Sequence, residues 1–156
     1  MRLRDIRSNV SLPWLVLGIA MIALIWGNSL VPGSGSSTIS LGVMEAAHSV
    51  LRALGLPYEW LTNFIVRKTA HFTEYAVLGI LMSQAFDPQH TVSARTISIA
   101  AVICVLVPSI DETIQLFVSD RSGQVTDVLL DCCGAATGIT LRSLAVRLHA
   151  RIRRQP

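Results

Sequence analysis

The run from Trp14 to Val31 constrains this chain most, because it is apolar throughout and carries no charged side chain. A helix needs about 20 mostly apolar residues to cross the hydrocarbon of a bilayer, where no water can satisfy an open backbone. Three further stretches approach that length while holding charge inside them. Residues 69–86 contain His71 and Glu74; residues 96–118 contain Pro108, Asp111 and Glu112; residues 125–146 contain Asp127, Asp131 and Arg142. Only 15% of the chain is charged, against roughly 25% in ordinary soluble domains, and mean hydropathy is +0.54. That balance excludes a disordered chain and argues against a water-soluble one. The expected fold is all-α and polytopic: one domain over residues 1–156, built as a bundle of four transmembrane helices.

Lysine and arginine orient such a bundle, because cytoplasmic segments are enriched in them. With the N-terminus inside, Arg2, Arg4, Arg7, Arg95, Arg142, Arg147, Arg151, Arg153 and Arg154 are cytoplasmic. Arg52, Arg67, Lys68 and Arg121 are then outside. Nine against four favours both termini inside, with the even number of spans this requires. An Arg-rich start, an apolar run and Gly33-Ser34-Gly35 also fit a cleavable leader, but the run is longer than a leader's apolar core. The basic tail, residues 147–156, is expected to hold anionic inner-leaflet lipids through charge. A net charge of +3 is mild, and the basic residues flank apolar runs instead of clustering with aromatics. No nucleic-acid partner is expected.

Between the first two spans, Gly33–Ser37 reads as a flexible external linker. Leu41, Met44, Ala47, Leu51 and Leu54 then recur at helical spacing, with Glu45, His48, Ser49 and Arg52 on the other face. Gly55 and Pro57 end the pattern, so a short amphipathic helix is expected on the outer surface or across the mouth of the bundle. Trp14, Tyr58 and Trp60 suit interfacial aromatic belts. Asp87-Pro88 turns the chain inside, and residues 119–124 turn it outside. Cys104, Cys132 and Cys133 lack the spacing of a structural zinc site and read as reduced packing residues. The small-residue face from Gly134 to Gly138 serves either packing within the bundle or a homodimer through Gly134 and Gly138.

The carboxylates are informative by their depth. Counted from the outer end of each span at helical rise, Glu74 lies about 8 Å in, Asp111 about 10 Å, Asp127 about 3 Å and Asp131 about 9 Å. Glu112 and His71 sit at similar levels. Facing lipid, such groups would cost about 2.5–3.5 kcal/mol each near a helix centre. They must face the interior or a watery cavity. Spacing permits it: Arg67, His71, Glu74 and Tyr75 share a helix face, as do Asp111 with Gln115 and Asp127 with Asp131. Pro108 removes a backbone donor and is expected to bend its helix one turn before Asp111. Glu74, Asp111, Glu112, Asp127 and Asp131 outnumber Arg67, Lys68 and Arg121 by two charges. Protonated carboxyls, a cationic His71 or a bound divalent cation would each restore the balance.

The motifs Arg67-Lys68-x-x-His71-Phe72-x-Glu74-Tyr75-x-x-Leu78, Asp111-Glu112-x-x-Gln115-x-Phe117 and Arg121-x-Gly123-x-x-x-Asp127-Val128, followed by Gly134, together resemble the VanZ-like family. These are small bacterial membrane proteins whose namesake is associated with resistance to the glycopeptide teicoplanin. The resemblance covers roughly residues 14–146 and implies a multi-pass protein of the bacterial cytoplasmic membrane. It marks His71, Glu74, Asp111, Glu112, Gln115, Arg121 and Asp127 as motif positions and supplies no reaction. Asp131 stands where the resemblance leads one to expect Asn, which makes the site more acidic.

Three functions remain open from the sequence. In the first, an outward-facing site of Arg67, Lys68, His71, Glu74, Tyr75, Asp111, Glu112, Gln115, Arg121, Asp127 and Asp131 binds or handles the headgroup of an envelope lipid or cell-wall precursor. In the second, His71, Glu74, Asp111 and Asp127 serve metal-dependent or acid–base catalysis on an envelope lipid. His-x-x-Glu differs from the zinc-protease His-Glu-x-x-His pattern, and no nucleophile elbow or Cys–His pair is visible. In the third, the charges form an ion-pair network that fixes helix register in a partner-binding protein.

Overall fold

The computed structural model describes residues 10–89 and 91–153, and every regular element within them is helical. Arg2, Arg4, Arg7, His90 and Arg154 lie outside the described residues. Five helices follow one another: α1, Leu12–Ser29; α2, Gly33–Ala53; α3, Asn63–Phe86; α4, Ala94–Gln115; and α5, Val125–Ile152. Pro13 opens α1, where its missing N–H costs nothing. The Thr62 hydroxyl accepts from the Ile65 N–H at 3.4 Å to start α3, and the Ser93 hydroxyl accepts from the Thr96 N–H at 3.3 Å to start α4.

Contacts at the two ends give the helix directions. At one end the Ser11 N–H, before α1, donates to the Ala85 carbonyl, late in α3, at 2.8 Å. Arg142, late in α5, reaches Asp87, just after α3. At the other end Asn28 of α1 meets Glu74 of α3, Gln115 of α4 meets Ser29 of α1, and Lys68 of α3 meets Asp127 of α5. Thus α1 and α4 run one way while α3 and α5 run the other. Helix α3 is central and packs against all four others.

Among the described residues, three helices are long and apolar enough to cross a membrane: α1, α4 and α5. Helix α3 is not among them, although a span over residues 69–86 is expected from the sequence. Its first half carries Arg67, Lys68, His71 and Glu74. Its charged side chains turn toward the site and its neighbouring helices, while Phe64, Thr69, Ala70, Thr73 and Val77 stay exposed. The bundle is inverted relative to a soluble protein. Leu17, Leu24, Val102, Val105, Leu129 and Leu141 are exposed, whereas Asp111, Glu112, Gln115, Asp131 and Arg142 are buried. Such a distribution suits a solvent of hydrocarbon.

The core joins Ile25, Tyr75, Leu78, Met82, Ala100, Cys104, Val107, Ala135 and Ile139. Helices α3 and α5 form the most extensive pair. A Cβ at Gly134 would meet the carbonyl of Phe72, and one at Gly138 would meet the carbonyl of Ala76. The small-residue face is therefore filled by α3 of the same chain. Helix α4 runs unbroken through Pro108. The Cys104 carbonyl, which loses its N–H partner to that proline, instead accepts from the Cys132 thiol at 3.8 Å.

One segment expectation needs correction. Gly33–Ser37 is not a flexible linker but the first turns of α2, which has 21 residues and is not short. The Gly33 N–H donates to the Ser119 carbonyl at 3.0 Å, and a side chain there would strike the Asp120 backbone. The hydroxyls of Thr38 and Ser40 turn back onto carbonyls of the preceding turn and leave the helix ladder intact. Helix α5 continues past residue 146, through Ile152. At about 1.5 Å per residue its 28 residues span about 42 Å, more than the hydrocarbon thickness of about 30 Å.

Candidate functional site

At the end of the bundle where Asn28 meets Glu74, α1, α3, α4 and α5 converge on the residues that the sequence marks as costly. Two adjoining cavities open there, of about 210 Å³ and about 300 Å³. Arg67, His71 and Arg121 line both. Glu74 and Asp111 line the first; Lys68, Gln115 and Asp127 line the second. Eight of the eleven expected residues therefore reach a cavity. Tyr75, Glu112 and Asp131 lie behind that wall, at most 4% exposed.

Each charged group has a distinct local role. Lys68 pairs with Asp127 across the second cavity. Arg121 donates through Nε to the Val31 carbonyl at 3.1 Å and through Nη2 to the Asn28 carbonyl at 2.9 Å. It thereby satisfies carbonyls at the C-terminal end of α1, where a cation also complements the helix dipole. Burial, and then the like charge of Arg67 nearby, pull the Arg121 guanidinium below its ordinary value. Arg67 has no ion-pair partner among the described residues. Glu74 accepts from the Asn28 amide at 3.3 Å.

Behind the cavities, the Gln115 amide nitrogen lies 3.3 Å from the Ser29 hydroxyl, 3.2 Å from Asp111 Oδ2 and 3.2 Å from Glu112 Oε1. Its two hydrogens cannot serve three acceptors at once. Glu112 Oε2 accepts from the Gln124 N–H at 2.8 Å, which ties α4 to the start of α5. His71 Nδ1 lies 3.6 Å from Asp131 Oδ1, beyond hydrogen-bond length. One donor atom each from His71, Asp111, Glu112 and Asp131 lies within 4.8 Å of all the others, so these four could together hold a cation.

Sequence reasoning missed the opposite wall. Asn28 and Ser29 of α1, with Ser36, Ile39, Ser40 and Val43 of α2, close the first cavity. The polar pair Asn28-Ser29 at the end of an otherwise apolar run was the available signal. A second polar cluster was missed altogether. At the other end of the bundle, Arg142 donates to Asp87 Oδ2 at 2.5 Å, to the Asp87 carbonyl at 2.7 Å and to Gln84 at 2.9 Å. Asp87 also accepts from Thr91 and from the Val92 N–H. Burial raises the pKa of Asp87, but the bonds from Arg142, Thr91 and the Val92 N–H outweigh it and hold the carboxyl below its usual range.

His48 lies in α2, where Nε2 is 2.8 Å from the Leu61 carbonyl and the ring packs on Tyr58. His149 lies in the last turn of α5. Neither reaches the cavities. The cysteines are free thiols, with Cys104 buried.

No curated protein and no solved structure is significantly similar to the chain. A model of the VanZ/LLP1 family matches residues 14–146, most of the chain and all of the bundle around the site. With apolar helices enclosing these motif residues, this multi-pass membrane protein belongs to the VanZ/LLP1 family.

Proposed function

We propose that this protein binds the anionic headgroup of an envelope lipid or lipid-linked cell-wall precursor in an outward-facing site. A continuous polar-to-apolar surface carries the reading. The first cavity, with Arg67 and Arg121, shares Val43, Val66, Ala70 and Glu74 with an apolar groove of about 530 Å³ between α1, α2 and α3. Such a surface fits an amphiphile, with phosphate oxygens between two guanidinium groups and an acyl or prenyl chain in the groove. An anion would also relieve the repulsion between Arg67 and Arg121. The carboxylates on the same wall suit the sugar hydroxyls or amines of such a headgroup.

The topology that accompanies this reading is a bundle of four spans, α1, α3, α4 and α5, in the bacterial cytoplasmic membrane. Alternating helix directions support it. Arg95, Arg142, Arg147, Arg151 and Arg153 gather at one end, and fewer basic residues surround the cavities at the other. Both termini are then cytoplasmic and the site faces outward, with α2 on the outer side. The family's glycopeptide-resistance namesake supports an envelope ligand, since a change in surface chemistry or a masked docking site would blunt such antibiotics.

Native mass spectrometry of protein gently extracted from its own membrane tests the proposal. The wild type is expected to carry a phosphate-bearing lipid, and a folded Arg67→Gln variant is expected to lose it. A lipid-free wild type, or retention by Arg67→Gln equal to wild type, would overturn it.

A further inference from the structure

The inner wall of the site holds an arrangement that a lipid headgroup does not explain. His71 from α3, Asp111 and Glu112 from α4, and Asp131 from α5 each direct one donor atom to a common point, all within 4.8 Å of one another. Asp111 and Asp131 are fully buried and Glu112 is 4% exposed. Buried carboxylates are ordinarily paired or hydrogen-bonded, because desolvation is otherwise costly. Here His71 Nδ1, Asp111 Oδ1 and both carboxylate oxygens of Asp131 are buried without a hydrogen-bond partner among the described residues. The Tyr75 hydroxyl is also buried without one, and it lies within electrostatic reach of Asp111, Asp131 and Glu112.

Two of the three nearby basic side chains are engaged elsewhere, and the third, Arg67, lines the cavities on the open side of His71. Lys68 is held by Asp127, and Arg121 by the end of α1. Gln115 lies against Asp111 Oδ2 and Glu112 Oε1 and the Gln124 N–H donates to Glu112 Oε2, so Asp111 keeps one open oxygen while both Glu112 oxygens are held in place, as outer-shell groups hold metal ligands.

We propose that His71, Asp111, Glu112 and Asp131 form a binding site for one divalent transition-metal cation of the Mn²⁺ or Zn²⁺ class. The donor set names the class: three carboxylates suit a hard cation, and the imidazole shifts preference from Mg²⁺ or Ca²⁺ toward Mn²⁺ and Zn²⁺. Ligand bonds of about 2.0–2.2 Å place tetrahedral donors about 3.4 Å apart and opposite octahedral donors about 4.2 Å apart, so shifts of about an ångström or less close the group on an ion. A divalent cation would give partners to the buried Asp111 and Asp131 oxygens and to His71 Nδ1. The ion would sit where three helices meet, behind the His71 wall and within the membrane's outer third. Asp131 is the acidic departure from the Asn that the family resemblance leads one to expect. In this chain it supplies two buried acceptor oxygens. The inference goes beyond headgroup binding and stands without it.

The test uses the full-length protein in detergent, stripped with a chelator and titrated with Mn²⁺. Free Mn²⁺ is followed by electron paramagnetic resonance, and Zn²⁺ is then added as competitor. One Mn²⁺ per chain, displaced by Zn²⁺, is expected for the wild type. Binding at least tenfold weaker is expected for Asp131→Asn and for His71→Phe. Mn²⁺ is also expected to raise the unfolding temperature of the wild type more than that of either variant at the same concentration. If Asp131→Asn does not fold, His71→Phe decides, since the His71 side chain is 22% exposed and easier to replace. Arg67→Gln separates the two proposals: it is expected to lose the lipid and keep the metal. Folded wild type that takes up neither cation at millimolar concentration, or a folded ligand variant that binds Mn²⁺ as tightly as wild type, would overturn the site.

Discussion

Replacing Asp87 by Asn is a direct test of how the end of α3 is tied to α5. Asp87 is 3% exposed and Arg142 is 7% exposed, so the pair lies almost wholly out of water. Removing one partner of a buried ion pair costs about 3–5 kcal/mol, chiefly by stranding the other charge. Arg142 retains the Asp87 carbonyl and Gln84, and Asn retains one oxygen for Thr91 or Val92, which together place the expected loss near the lower bound, about 3 kcal/mol. For a chain of this size that is a fall of about 6–12 °C in unfolding temperature. The assay is thermal unfolding in a mild detergent followed by helical circular dichroism, with Arg142→Gln and the double variant completing a cycle. Coupling between the two sites of more than about 1 kcal/mol is expected.

The pH dependence gives a second handle on the same pair. The folded-state pKa of Asp87 is lowered, so its contribution is fully present above the ordinary carboxylate pKa of about 4. It is lost as pH falls through the lower folded value. The gap between wild type and Asp87→Asn should therefore narrow only below about pH 4. A loss under about 1 kcal/mol at neutral pH, or a gap that does not narrow in acid, would refute the reasoning.

Other variants probe the remaining joints of the structure. Gly138→Ala forces α5 away from the Ala76 carbonyl and should cost about 1–3 kcal/mol, read by the same unfolding assay. Lys68→Gln breaks a pair that is partly open to water, its side chains 27% and 17% exposed, and should cost no more than about 1 kcal/mol. Glu74→Gln keeps an acceptor for Asn28, so it should fold as wild type while weakening lipid retention in native mass spectrometry. If every neutralisation at the site instead unfolds the protein, the charges serve helix register and headgroup binding is refuted.

The parts of the fold that were legible from sequence are those where the membrane makes a residue costly. An uncharged run can only be a span, and carboxylates inside apolar segments must turn inward. His71, Asp111, Glu112 and Asp131 could accordingly be placed at one depth before any coordinates. Helix α3 shows the limit of hydropathy, since a helix that packs against all four others carries residues chosen for its partners as well as for lipid. The Gly-Ser stretch was misread because glycine and serine favour flexibility only where water competes for the backbone. In α2, hydroxyls that fold back onto the helix and the close approach at Gly33 make the same residues helical. Nothing periodic could reveal the Asp87–Arg142 pair, whose members are 55 residues apart. The α2 wall was equally hidden, since Ser36, Ile39, Ser40 and Val43 carry no chemistry distinctive enough to single out.

Helix α2 is fastened at both ends, by the Gly33 N–H to Ser119 and by His48 to Leu61. A segment held that way is a strap, not a flap, and it covers the first cavity from one side. The apolar groove leads out from beneath it, between α1 and α3. A lipid would therefore reach the site by sliding sideways within its own leaflet. Its occupancy would follow the lipid's mole fraction in that leaflet, not any concentration in water. If the proposed headgroup binding holds, two-dimensional supply of this kind would make the composition of the lipid's own leaflet the variable that the protein reads.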